Sequence, residues 1–319
     1  MLDYKEIKDA YARIKDYIYE TPLEKSIYLS TDERNYYLKL ESLQTVKSFK
    51  IRGTLNKLLT LSKAEAERGV GTISSGSHGV SVSYGTNLLG MKRAKIIVPE
   101  TTPQSKLDRM KYYGADVMLL GSNYDECHSK GMKFIDENGL VYIDPYYDDV
   151  KVYAGQGTIG IEILKQNPDI DTIVVPIGGG GLITGIAVAA KAIKPDIKIV
   201  GVQTAACPAM IKSYEDKVFY EEYPNDPSVC DALVGGVGKL SYDILKDYCD
   251  ELIQVTEESI RKATAFIIKN EKFIVEPSSA VCAAAVMNFG KEIGGKDIAL
   301  IMSGGNIDVN LMVELLNQY

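Results

Sequence analysis

Long apolar runs are missing from this 319-residue sequence: nothing in it approaches the roughly 20 consecutive apolar residues that a membrane span needs. The opening stretch, MLDYKEIKDAYARIKDYIYE, is charged and amphipathic and lacks the apolar segment of a secretory signal, so the chain is expected in the cytoplasm. The five cysteines (Cys127, Cys207, Cys230, Cys249 and Cys282) never fall in C-x-x-C spacing. That argues against a zinc site or a disulfide framework and for reduced thiols. Like charges form no block, and the formal net charge of −7 argues against nucleic acid or an anionic membrane as a partner. Internal repeats, low-complexity tracts and Gly/Ser linkers are absent too. A chain too long for one comfortable core is therefore expected to form two tightly packed lobes, with the crevice between them as the ligand site.

What is present is alternation. Short β-rich runs at 36–40, 71–74, 95–98, 116–120, 172–175, 197–202, 251–255 and 298–302 are separated by helical patterns. Those fall at 50–61, 80–89, 104–112, 182–192, 258–269 and 280–288. This order predicts an α/β chain with mainly parallel sheets and helices on both faces. Ligands of such sheets sit beyond the carboxyl ends of strands, so the strand-to-helix loops carry the functional information.

Four loops stand out. After the apolar run 172–177 come Gly178, Gly179, Gly180 and Gly181, then Leu182 and a helix. Consecutive glycines let a ligand approach main-chain N–H groups, and a helix N-terminus favours a phosphate. The loop lacks both the Gly-Lys-Ser/Thr ending of a triphosphate site and a ribose-binding acid, which points to a small monophosphate. Ser48-Phe49-Lys50-Ile51-Arg52-Gly53 puts Lys50 at a helix start among apolar neighbours. A semi-buried lysine there forms Schiff bases with carbonyl compounds, although a snorkelling surface lysine has the same signature. Ser74-Ser75-Gly76-Ser77-His78-Gly79 offers helix-start N–H groups to a carboxylate, with serine capping as the plainer role. His78 has no acid or cysteine nucleophile at motif spacing and reads as a structural histidine rather than a base. Finally, the buried run 298–302 enters Ser303-Gly304-Gly305-Asn306, where the Ser303 hydroxyl can hydrogen-bond a heterocyclic nitrogen.

Taken in order, SFKIRG (48–53), SSGSHG (74–79), AGQGT (154–158), PIGGGGL (176–182), EPSSA (276–280) and SGGNID (303–308) resemble the fold type II pyridoxal-phosphate enzymes. Within these the likeness is to the serine/threonine dehydratase and serine racemase branch, over about residues 21–308. The resemblance implies a tryptophan synthase β-like fold of two open, mainly parallel twisted sheets. It assigns 1–48 plus 145–319 to a large cofactor-binding domain and 49–144 to a small substrate-binding domain. The implied cofactor is pyridoxal 5′-phosphate. Lys50 would carry it as a Schiff base and then take the substrate's Cα proton. Phe49, Ser77, Leu182, Glu276, Ser303 and Gly304 would line the cofactor site, Gly178 to Gly181 would hold the phosphate, and Ser303 would meet the pyridine nitrogen. Ser74, Ser75, Gly76, Ser77 and His78 would grip the substrate carboxylate. The implied activity is β-elimination from L-threonine or L-serine, giving 2-oxobutanoate or pyruvate plus ammonia, by a homodimer or homotetramer acting on a small amino acid.

Several positions depart from that pattern. Ser77 stands where the family usually has an asparagine that meets the cofactor's phenolic oxygen. Val46-Lys47 replaces Thr-Gly, leaving Lys47 to face either an acidic substrate or solvent. Gln203 and Ala209 occupy the places of the racemases' Glu and Asp metal ligands, so no such metal is expected. Gly201-Val202-Gln203 and Tyr147-Asp148-Asp149 resemble the catabolic threonine dehydratases, and no C-terminal regulatory domain is expected. Ser75 lies where racemases keep an opposite-face acid/base. A serine or aspartate racemase, or an ammonia-lyase for another β-substituted and possibly acidic amino acid, is therefore the alternative. A non-catalytic binding protein that kept the fold is a third reading.

Overall fold

Ile298, Leu300 and Met302 alternate with Ala299 and Ile301, and all five are fully buried. A strand buried on both faces belongs inside a sheet covered twice by helices. The computed structural model, which describes residues 1–319 apart from the side chain of residue 105, has that arrangement. Its strands are Leu23–Lys25 (β1), Asn35–Lys39 (β2), Val70–Ile73 (β3), Ala94–Val98 (β4), Asp116–Leu119 (β5), Val141–Tyr142 (β6), Thr172–Pro176 (β7), Lys198–Thr204 (β8), Glu251–Val255 (β9) and Asp297–Ile301 (β10). Six form one sheet in the order β1-β2-β10-β7-β8-β9, and four form a second in the order β5-β4-β3-β6. Every pairing is parallel except that of the edge strand β1 with β2. The expected α/β class with two mainly parallel sheets is what the structure contains.

The alternation sorts the core. Val174, Val200, Leu300 and Met302 pack on one face of the large sheet with Ala280, Ala284 and their neighbours on the helix Pro277–Ile293. Ile173, Val175, Ile199 and Ile301 pack on the other face with Ile183, Ile186 and Ala190 of the helix Gly181–Ile193. The eight strands expected from sequence appear with ends shifted by at most two residues. Neither β1 nor β6 was among them, because elements of three and two residues are too short to display a period. The helix after Glu276 begins three residues earlier than expected, at Pro277, the first-turn position proline favours.

Beneath the large sheet's carboxyl edge lies a buried group of four charges. Arg52 donates through Nε and Nη2 to the two oxygens of Glu41 at 2.7 and 2.8 Å, and through Nη1 and Nη2 to those of Glu162 at 2.6 and 2.7 Å. Its fifth N–H reaches Thr158 Oγ1 at 3.0 Å, so every guanidinium donor is satisfied. Lys39 Nζ completes the neutral quartet at 2.6 Å from Glu162. Burial opposes the Glu41 carboxylate, yet Arg52 outweighs it and holds that group below the usual carboxylate range. Close helix contact makes the arrangement possible: a Cβ on Gly155 would sit 2.5 Å from the Arg52 carbonyl oxygen, so the helices Lys50–Leu59 and Val150–Gln166 touch backbone to backbone. Replacing Arg52 with methionine leaves two buried carboxylates facing one lysine. The expected cost is about 3–5 kcal/mol, read as a lower urea midpoint, and an unchanged midpoint would contradict the role given to the quartet.

Candidate active site

Two remote segments are joined before any ligand is considered. Phe49 N–H donates to the Ser303 carbonyl at 3.0 Å, and Ser48 bridges Gly304 across the same gap. This puts Lys50, the first residue of its helix, beside Ser303 at the end of β10. Lys50 Nζ donates to the Pro145 carbonyl at 2.9 Å and lies 5.4 and 5.9 Å from the ring centres of Phe49 and Tyr146. The Pro145 carbonyl is held in turn by Asp144, whose carboxylate accepts the backbone N–H groups of Tyr146, Tyr147 and Asp148 at 2.7, 2.8 and 3.2 Å.

Opposite Lys50 runs the glycine loop. Gly180 has φ +94°, a left-handed turn that releases Gly181 into the first position of the following helix. Among the described residues the N–H groups of Gly178, Gly179 and Gly180 find no acceptor within the chain, and those of the helix's first turn have none by construction. The glycines also serve packing. A Cβ on Gly179 would lie 2.1 Å from the Tyr146 ring, and one on Gly180 2.5 Å from Ser241 Oγ.

These segments enclose a crevice of about 600 Å³ of non-atom space, its solvent mouth included. Of the residues singled out in the sequence, Phe49, Lys50, Ser77, Gly178, Gly179, Gly180, Gly181, Leu182, Glu276 and Ser303 line it. Gly304 sits behind the lining, its N–H on Ser279 Oγ at 2.6 Å. Ser74, Ser75, Gly76 and His78 lie outside the lining, on the approach to the helix Ser77–Leu88 and within its first turn. Sequence reasoning missed Tyr146, Ala232 and Leu233, whose segments carry no loop motif, and Ser278, whose EPSSA motif was noticed only for Glu276. Lys47 is exposed with φ +59°, which fits the solvent-facing reading.

A family model described as pyridoxal-phosphate dependent enzyme matches residues 14–304. The chain belongs to this family. L-threonine ammonia-lyase of Thermotoga maritima is 38% identical over 320 residues, covering 100% of this chain and 79% of that protein. The catabolic L-threonine dehydratase TdcB of Staphylococcus aureus is 40% identical over 310 residues, covering 95% of this chain and 89% of that protein. The structure of maize serine racemase superposes with a TM-score of 0.91 at 31% identity, over 99% of this chain and 97% of the other.

The residues present fit the cofactor of a pyridoxal-phosphate dependent enzyme. Unpaired backbone N–H groups at a helix N-terminus suit a phosphate, and no arginine lines the crevice to take that part. Burial lowers the Lys50 amine to about 8, with the nearby Asp144 charge opposing the shift. Ser279 Oγ donates to the Gly304 carbonyl at 2.7 Å, so in its 3.0 Å contact with Ser303 the Ser303 hydroxyl is the donor, and that hydrogen can be exchanged onto a ring nitrogen in the crevice. Burial, with Asp231 adding to it, raises Glu276 to about 7, so this carboxyl is about half ionised at neutral pH. His78 is lowered to about 3 by burial and by Lys50, and is neutral. Its Nε2 must carry the proton, because it faces the Ile143 carbonyl at 2.9 Å, and Nδ1 is left as a buried acceptor without a partner.

A neutral amine is the form that attacks an aldehyde. The rate at which cofactor-free protein captures pyridoxal phosphate should therefore climb through pH 8, gaining about tenfold from pH 7 to 9.5, where an ordinary lysine would still be rising at about 10.4. A rate that keeps climbing past pH 10 would contradict the desolvated amine.

Proposed function

We propose that this chain is an ammonia-lyase that removes the β-hydroxyl and the amino group of L-threonine or L-serine, releasing 2-oxobutanoate or pyruvate and ammonia. The observation that carries the reading is the Lys50 amine, held near pH 8 between two aromatic rings and facing the glycine loop across the crevice. Bound pyridoxal phosphate supplies the electron sink that makes a proton on the substrate's Cα removable.

The chain's own residues do the rest. Gly178 to Gly181 bind the phosphate through main-chain N–H groups, and Leu182 packs beside them. Ser303 offers a hydroxyl to the ring nitrogen. Lys50, neutral in an appreciable fraction at physiological pH, takes the Cα proton and can return it. The N–H groups around Ser74 to His78 receive the substrate carboxylate as it enters, and Asp144 keeps Lys50 aimed by fixing the Pro145 carbonyl. Residues 49–144 act as the small lobe, whose closure over the crevice excludes water, and residues 1–48 with 145–319 as the lobe that holds the cofactor. The working form is a cytoplasmic homodimer or homotetramer.

Racemisation is the second reading, favoured by the likeness to maize serine racemase. It needs a second acid/base on the face opposite Lys50, and Ser75, the residue assigned to it, lies outside the crevice lining. Identity of 38 to 40% with threonine lyases, against 31% with that racemase, also favours elimination.

The test is 2-oxo acid release from L-threonine and L-serine by protein loaded with pyridoxal phosphate, with chiral analysis of the remaining amino acid. Release with little D-isomer is expected, and Lys50→Ala should lose roughly a thousandfold. Accumulation of D-amino acid without 2-oxo acid would overturn elimination in favour of racemisation.

A further inference from the structure

Ser77 has a neighbour that the reaction described above does not use. Asn306, three residues beyond Ser303, donates through Nδ2 to Ser77 Oγ at 2.9 Å and to the Val46 carbonyl at 3.2 Å. Its Oδ1 accepts from Arg109 Nη1, while Arg109 Nη2 donates to the same Val46 carbonyl at 3.2 Å. Its backbone N–H meets Glu276 Oε2 at 3.0 Å. Arg109 lies on the helix Gln104–Tyr112, which packs against the small sheet, and Asn306 follows the last strand of the large one.

Proton counting fixes the direction of this chain. A guanidinium can only donate, so the amide oxygen of Asn306 must face Arg109 and the amide nitrogen must face Ser77. Both amide N–H groups are then committed, one to Val46 and one to Ser77. Ser77 Oγ is an acceptor in that bond, and among the described residues its own hydrogen has no acceptor. Ser77 lines the crevice with Lys50 and Ser303.

We propose that Arg109 is a positioning residue: acting through Asn306, it fixes Ser77 as a hydrogen-bond donor to an anionic oxygen bound in the crevice. Arg109 and the Val46 carbonyl together hold the Asn306 amide this way round. Without the cation, only the 3.2 Å bond to Val46 opposes a flip that lets the Asn306 oxygen accept the Ser77 hydrogen and takes the donor from the ligand. Two oxygens share the required chemistry, the cofactor's phenolate and a substrate carboxylate. The inference rests on the chain's use of pyridoxal phosphate, as the proposed elimination does, and is independent of which reaction follows.

The test compares wild type, Arg109→Gln, Arg109→Lys, Ser77→Ala and the double variant Arg109→Gln/Ser77→Ala, each loaded with pyridoxal phosphate. The first readout is the ratio of the long- to the short-wavelength absorption band of the bound cofactor, the long band reporting the ionised phenol oxygen. The second is the dissociation constant of L-alanine, which has no β-leaving group. If the acceptor is the cofactor oxygen, Arg109→Gln and Ser77→Ala each lower the band ratio about three- to tenfold, the size of one net hydrogen bond. If it is the substrate carboxylate, the ratio holds and L-alanine binds weaker by the same factor. In either case the double variant goes no further than the single ones, and Arg109→Lys, which still donates to Asn306, keeps most of the wild-type value. Arg109→Gln matching wild type in both readouts would overturn the proposal, as would effects of the two substitutions that multiply. These readouts need no turnover, so failure of the elimination reading would leave them intact.

Discussion

The direction in which Lys50 points depends on the buried Arg52 guanidinium. Its five N–H groups are spent on Glu41, Glu162 and Thr158, which binds the residues after β2, the Lys50–Leu59 helix and the Val150–Gln166 helix into one unit. Lys50 stands two residues earlier on the same helix, about 200° around the axis. When Arg52 is locked into the interior, Lys50 is turned to the opposite side, toward the crevice. A surface-anchored helix could rock by several degrees and move the amine with it. One anchored by paired charges in a dry interior cannot do so without exposing a charge to an apolar surrounding.

The same low-dielectric environment acts in opposite ways a few ångströms apart. Where charges have partners, as in the Arg52 quartet, they stay charged. Where the partners are few, burial drives groups toward neutrality: the Lys50 amine falls to about 8, Glu276 rises to about 7, and His78 falls to about 3. At neutral pH the crevice thus holds a Lys50 still mostly protonated but close to its titration, a Glu276 carboxyl about half ionised, and a neutral His78. A bound cofactor bearing a phosphate and a phenol would add charge of its own, and in the proposed reading the hydrogen-bond donors of the glycine loop and Ser303 decide how it lies.

Much of this was legible in the sequence, for physical reasons. Strands buried on both faces leave unbroken apolar runs, and β7 and β10 were visible because each ends in a loop of glycine and serine that only a backbone-lined site requires. Lys50 was visible through its position between apolar neighbours. Tyr146, whose ring fills the space above Gly179, was not, because its contact joins segments 33 residues apart with no shared period. The glycines of AGQGT were noticed as a motif, but their reasons are the approach of Gly155 to the Arg52 backbone and of Gly157 to the Gly185 backbone, helix contacts that no local pattern encodes. Likewise Ser77 showed as a departure, while its partner Asn306 lies 229 positions away and could be found only in three dimensions.

The most direct test of the account is to find which lysine carries the cofactor. Protein loaded with pyridoxal phosphate is reduced with borohydride, digested, and its peptides mapped by mass spectrometry. The account predicts the pyridoxyl phosphate on Lys50 in near-stoichiometric yield. Label on another lysine, or scattered among exposed ones, would contradict it.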